Sequence, residues 1–351
     1  MLQELLGLTT PARAEGAGTS GGSPAGGPPA PTTARTQGHD AVTRKRPRIG
    51  LALGGGAARG WAHIGVIRAL ERAGYAPEIV VGTSIGAVVG GCYAAGKLDE
   101  LEAFARSLTK SRVLWLMDFH IGSGLISGDR LKRLLQRDLG DMRIEDAAIR
   151  FAAVATELRS GHEIWLTKGP MVEALGASYA LPGVFDPVRL GGRLLFDGAL
   201  VNPIPVTTTR ALSAELVIAV NLNADLFGRG AVIPDHGGGA EPPTEEMAET
   251  IAEGLFSPVL GAANRLRRMV NRGAGPGFAS VMVDAFNITQ DRIARSRLAG
   301  DPPDVHVKPR LGRVGLFDFH RAQESIALGE EAMAQCLADL ETTLESLPGP
   351  Y

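Results

Sequence analysis

Ile79-Val80-Val81-Gly82-Thr83-Ser84-Ile85-Gly86-Ala87-Val88-Val89 joins a β-branched run, a serine between two glycines, and a small-residue stretch that continues to Ala95 before Gly96. β-branched residues favour strands, and the following stretch suits a helix, so the segment reads as strand, sharp turn, helix. Gly82 and Gly86 remove the side chains that would clash as the chain reverses, which leaves Ser84 strained and exposed at the carboxyl edge of a sheet. The helix that begins at Ile85 directs its free N–H groups and positive dipole end at that serine. A serine hydroxyl is a weak nucleophile, and it needs this presentation together with a base and donors for a developing oxyanion. An ordinary βα turn with a capping serine would carry the same five residues.

Outward from this turn the chain repeats strand, turn and helix, the rhythm of a mostly parallel sheet covered on both faces. Ile49 to Leu53 reads as the first buried strand and Ala62 to Ala73 as its helix, closed by Gly74. Phe151 to Thr156 and Leu216 to Leu222 are further buried strands, and Leu194-Leu195-Phe196 runs into Asp197 at a strand end. Val305-His306-Val307 is a last strand and His320 to Leu347 a closing helix. The expected organisation is a disordered Gly/Pro/Ala-rich tail over residues 1–47, a catalytic core over 48–225, an insertion or lid over 226–303, and a completing strand and helix over 304–351. Within the insertion, Glu245 to Val270 reads as one or two amphipathic helices with acidic residues early and basic residues late.

With 351 residues, 44% of them hydrophobic, the chain can bury a full α/β core. A net charge of -2 supplies no basic field for nucleic acid. Cys92 and Cys336 stand far apart in apolar helical stretches, as buried thiols do. No apolar run reaches the ~18 residues of a spanning helix, and the first residues lack the layout of a secretory signal. The expected location is the cytoplasm. Peripheral membrane contact stays open through the apolar residues of Met1 to Leu8 and the cluster Arg44, Lys45, Arg46 and Arg48, although fraying is the commoner fate of such a short stretch and a solvated linker end the commoner use of such a cluster.

Gly54-Gly55-Gly56-Ala57-Ala58-Arg59-Gly60 follows the first strand and opens a helix. Successive glycines let backbone N–H groups converge on an anion, either a cofactor phosphate or a transient oxyanion. The dinucleotide fingerprint needs glycines at its first, third and sixth positions; counted from Gly54 the sixth is Arg59, and counted from Gly55 the third is Ala57. No Gly-Lys-Ser/Thr ending marks a triphosphate loop. Strands Ile49 and Ile79 are neighbours in a βαβ unit, which sets the loop beside Ser84, where an oxyanion hole is needed. Arg59 serves here either as a stabiliser of the loop, through an ion pair, or as a lure for an anionic head group.

Two bases compete. The order Ser84, Asp197, then His306 or His320 would suit an α/β-hydrolase triad, although His306 sits in an alternating strand and His320 opens a helix. His63, one turn past the glycine loop, either faces the site or packs at its helix start. The alternative is Asp197 itself: a carboxyl at a strand end, followed by Gly198 and Ala199, can be aimed into a cleft and raised in pKa by burial.

Three separated elements, the Gly54–Gly60 loop, the Gly82–Gly86 elbow and Asp197-Gly198-Ala199, together resemble the patatin-like phospholipases, including bacterial members related to neuropathy target esterase. Arg59-Gly60-Trp61-Ala62-His63-Ile64-Gly65-Val66, Ala180-Leu181-Pro182-Gly183-Val184-Phe185 and Val201-Asn202-Pro203-Ile204-Pro205 resemble the same family. The resemblance spans Arg48 to Asn223 and, more faintly, Asp304 to His320. It implies an α/β fold, a three-layer αβα sandwich, with Ser84 as nucleophile and Asp197 as base. The implied oxyanion hole draws on Gly54, Gly55, Gly56 and Ile85, with Ala57 standing where many members carry glycine. No metal or cofactor is implied. The implied substrate is a phospholipid or other acyl ester, with Leu181, Val184 and Phe185 either lining the slot for its acyl chain or serving as plain core, and a non-catalytic lipid-binding module is the rival from another class.

Overall fold

The computed structural model describes residues 46–116, 129–182, 184–225 and 278–347. Residues 1–45 of the expected tail and 226–277 of the expected insertion, with its helical stretch Glu245 to Val270, lie outside them.

Among the described residues, eight strands make one sheet: β1 (Ile49–Leu53), β2 (Ile79–Thr83), β3 (Arg150–Glu157), β4 (Glu163–Leu166), β5 (Val188–Leu190), β6 (Arg193–Asp197), β7 (Leu216–Val220) and β8 (Val305–Val307). Their order is β5-β6-β3-β2-β1-β7-β8, with β4 paired to β3. The run β3-β2-β1-β7-β8 is parallel, and β4, β5 and β6 are antiparallel additions. All residues of β1, β2 and β7 are buried. That is why they read as continuous apolar runs rather than alternating ones.

Nine helices among the described residues cover the sheet: α1 (Ala62–Arg72), α2 (Ile85–Ala94), α3 (Leu98–Arg106), α4 (Lys110–Leu116), α5 (Asp129–Leu139), α6 (Met171–Ser178), α7 (Val206–Ala211), α8 (Phe278–Gly300) and α9 (Ala322–Ser346). Leu51, Leu53, Val80, Ile218 and Val220 point to one face, where they pack with Ile64 and Ile67 of α1, Val89 of α2, Leu175 of α6 and Met333 of α9. Alternate residues of the same strands point the other way: Ala52, Val217 and Ala219 meet Val206 of α7 and Ala294 of α8, while Ile79, Val81, Ala152 and Val154 form a smaller cluster beside Leu212 and Ala214. The result is the αβα sandwich. Helix α8, drawn from the end of the stretch expected as an insertion, belongs to its second face.

The register sets the site. Leu53 pairs with Gly82, so the loop after β1 and the turn after β2 leave the sheet side by side. On the other side of β2, Thr83 pairs with Val154, and β6 lies antiparallel beside β3 with Asp197 opposite Ala155. An antiparallel strand thus delivers its last residue to the edge where the parallel strands end.

Candidate active site

Ser84 lies between β2 and α2 with φ 58° and ψ −125°, a conformation that costs a non-glycine residue ~1–3 kcal/mol. Neighbours hold it there. A Cβ on Gly82 would collide with Gly86 O and the backbone of Ala87, and one on Gly86 with Leu53 O, so Gly82 is required by the closeness of the turn and Gly86 by the closeness of β1. Ser84 N–H donates to Ser178 Oγ at 3.0 Å, and that hydroxyl donates onward to Val154 O at 2.6 Å. Thr83 Oγ1 donates to Asn202 O at 2.9 Å.

Asp197 is 2% exposed. Its N–H donates to Ala180 O at 2.9 Å and its carbonyl accepts from Thr156 Oγ1 at 2.9 Å, so the backbone is pinned on both sides. Oδ1 accepts from Ala199 N–H at 2.8 Å, and Oδ2 accepts from Ser84 Oγ at 2.7 Å. Burial pushes its pKa up to about 7, against the pull of the Ala199 N–H and the Ser84 hydroxyl. A carboxyl that titrates near neutrality is suited to take a proton and return it. Gly198 lies so close to Val154 that a Cβ would strike its carbonyl, which explains the glycine after the aspartate.

The glycine loop corrects two of the expected donors. Gly54 N–H donates to Val220 O at 3.2 Å and Gly55 N–H to Pro203 O at 3.0 Å. These amides tie the loop to β7 and to the segment before α7, and are not free for an anion. Gly56 and Ala57 line the cavity beside Ser84 and Ile85, and Ile85, as the first residue of α2, carries one of the N–H groups a helix cannot satisfy internally. Ala57 has φ 47°, the left-handed region natural to glycine. Gly60 is needed for another reason: a Cβ there would strike the side chain of Ile85.

Arg59 is a buried tie. Its Nε donates to Val314 O at 2.8 Å and one terminal nitrogen to Asn223 Oδ1 at 3.3 Å; burial lowers its pKa to about 10, with Asp225 and Asp318 pulling the other way. His63 is fully buried, with Nε2 2.8 Å from Gly54 O. A carbonyl only accepts, so Nε2 carries the proton. Burial holds the imidazole's pKa down near 4, leaving a neutral ring that braces the loop. His306 lies on β8, three strands from β2, and burial holds it near 4 as well. His320 sits in the short turn Phe319–Arg321. No histidine is among the described residues that line the cavity at Ser84.

That cavity, about 150 Å³, runs from Ser84 and Asp197 between α2, α3 and α5, a size at which an apolar cavity accepts apolar ligands. Val88, Leu101, Phe104, Leu108, Leu131, Leu134 and Leu135 form its walls, and Leu181, Val184 and Phe185 lie along it as expected. Sequence reasoning missed Ser178, Thr156 and Gln290, the last also lining the cavity. The wall of α5 had a readable signal, since Leu131, Leu134 and Leu135 follow helical spacing on an otherwise charged helix.

The patatin-like phospholipase family model matches residues 51–210. An uncharacterised NTE family protein of Mycobacterium tuberculosis is 34% identical over 359 residues, covering 89% of this chain and 96% of its own length. The chain belongs to the patatin-like phospholipases, among the NTE family. A lysophospholipase of Emericella nidulans is 32% identical over 86% of this chain, and one of Yarrowia lipolytica is 36% identical over 50% of it. This patatin-like chain spans only 19% and 13% of those two larger proteins. Family membership makes it a lipid acyl hydrolase. None of the described helices is long and apolar enough to cross a membrane.

Proposed function

We propose that Ser84 and Asp197 act as a Ser–Asp dyad that hydrolyses the acyl ester of a phospholipid or lysophospholipid through an acyl-enzyme. The observation that carries this reading is the 2.7 Å bond from Ser84 Oγ to Asp197 Oδ2 at the head of an apolar cavity. Ser84 Oγ attacks the ester carbonyl while its proton passes to Asp197 Oδ2. The oxyanion that forms is met by N–H groups of Gly56, Ala57 and Ile85, at the positive end of α2. Collapse breaks the bond to the alcohol, which leaves with the proton from Asp197. Water then attacks the acyl-Ser84 carbonyl, gives its proton to Asp197, and the fatty acid departs as that proton returns to Ser84 Oγ.

The raised pKa of Asp197 supports its role as base, because a carboxylate near its ordinary value would be too weak. The walls of Leu and Phe suit an acyl chain, and the name lysophospholipase borne by fungal relatives supports the substrate class. The test is a lipid and ester panel run on wild type, Ser84→Ala and Asp197→Asn, with fluorophosphonate labelling mapped to its residue. Turnover in wild type alone, with label on Ser84, is expected. Equal turnover in all three proteins would refute the proposal.

A further inference from the structure

Gln290 of α8 is 5% exposed, and its Oε1 is buried without a hydrogen-bond partner. It is not remote from the chemistry. A Cβ placed on Gly55 would stand 3.5 Å from Ser84 Cβ, 3.4 Å from Ala199 Cβ and 3.8 Å from Gln290 Oε1. The carboxamide thus shares one small space with the serine and with the residue whose N–H holds Asp197, and it lines the same cavity as Ser84 and Asp197. Helix α8 reaches this position by packing on the Gly198–Leu200 turn that follows Asp197. It is anchored farther along by Arg297, which donates to Glu163 Oε2 at 2.7 Å.

A buried amide oxygen without a partner costs stability, and its presence calls for an explanation, of which a role in catalysis is one. Lys97, Asp138 and Trp61, also along the cavity, have partners: Lys97 pairs with Glu100, Asp138 with Arg137, and Trp61 Nε1 donates to Phe319 O. Acylation changes what the site needs. Once Ser84 Oγ is esterified it no longer donates to Asp197 Oδ2, so that oxygen is open to a water molecule. One hydrogen of the water goes to Asp197, and in a cavity walled by leucine and phenylalanine the second needs an acceptor.

Building on the dyad reading, we infer that Gln290 is a positioning residue for deacylation, its Oε1 accepting the second hydrogen of the water that Asp197 activates. The water oxygen forms the new bond to the acyl carbon, Asp197 takes the first proton, and the C–Oγ bond breaks as that proton passes to Ser84. Gln290 exchanges no proton. It fixes the direction of attack.

The experiment compares wild type with Gln290→Met, which keeps the side chain's length without an acceptor, and Gln290→Glu, which restores an acceptor oxygen. An activated aryl ester is used so that acylation is fast. Slower deacylation lowers kcat and KM together and leaves kcat/KM unchanged. For Gln290→Met the expected result is a ~10- to 100-fold fall in both, a burst of one alcohol per site, acyl-Ser84 seen by mass, and an unchanged rate of fluorophosphonate labelling. Gln290→Glu is expected to recover turnover relative to Gln290→Met. If kcat/KM and labelling fall in step with kcat in both variants, or if kcat is unaltered in both, the inference is overturned. A wild type that fluorophosphonate does not label at Ser84 would instead sink the dyad itself.

Discussion

Asp197→Asn should destroy activity and at the same time stabilise the fold, and the second effect should depend on pH. Asparagine preserves the shape of the side chain: its oxygen can accept from Ala199 N–H, and its amide can donate to Ser84 Oγ where the carboxylate accepted. What it removes is the cost of a buried charge. The Asp197 carboxyl titrates near 7 in the fold, where its ordinary value is 3.8. Because the folded pKa lies above the unfolded one, the native state binds the extra proton, and stability falls as pH rises from about 4 to about 7. A gap of this size amounts to at most ~4 kcal/mol by the linkage relation. Denaturant unfolding of wild type and variant at a series of pH values from 4 to 8 measures it. The two stability curves should diverge with pH, the variant gaining most by pH 8, while wild-type kcat/KM rises to a plateau with a midpoint near 7. Parallel curves, or a wild-type pH profile with no inflection near neutrality, would refute the assignment of Asp197 as a buried base.

Ser178→Ala leaves Ser84 N–H and Val154 O without their bridging hydroxyl; it should lower stability by ~1–3 kcal/mol in denaturant melts and slow turnover by loosening the elbow. His63→Leu should lower stability by a similar ~1–3 kcal/mol and reduce kcat/KM without moving its pH midpoint, since the imidazole braces Gly54 and does not titrate in that range; a displaced midpoint would make it part of the proton path. Ala57→Gly relieves a left-handed alanine and should raise the unfolding midpoint by up to ~1 kcal/mol of stability, with activity retained. Leu135→Trp, in the wall formed by α5, should shift preference in an ester series toward shorter acyl chains, and an unchanged profile would place the acyl chain elsewhere.

How much of this could be read from the chain depends on how far each residue's meaning reaches. The elbow was legible because part of its demand is local: Gly82 is needed by the backbone of Gly86 and Ala87, although Gly86 is needed by Leu53 on the neighbouring strand, and a strand buried on both faces announces itself as an apolar run. Asp197, the proposed base, needed more, since Asp-Gly is an ordinary turn and its place beside Ser84 comes from β6 pairing antiparallel with β3, the strand next to β2. The oxyanion donors show where local reading fails. Three successive glycines offer three equivalent amides on paper, yet Val220 and Pro203, remote in sequence, claim the first two, so which N–H is left for an anion is decided by tertiary neighbours and not by the loop. Gln290 is the extreme case. It is one polar residue on a helix whose packing surface includes Ala294, and only the landing of α8 on the turn after Asp197 gives it significance. The turn that presents Ser84, the proposed nucleophile, is signalled by its own glycines, whereas the groups proposed to serve it are chosen by which distant carbonyls and helices arrive, so variants at Gln290, which makes no bond to the turn, should alter rate while leaving the elbow's conformation intact.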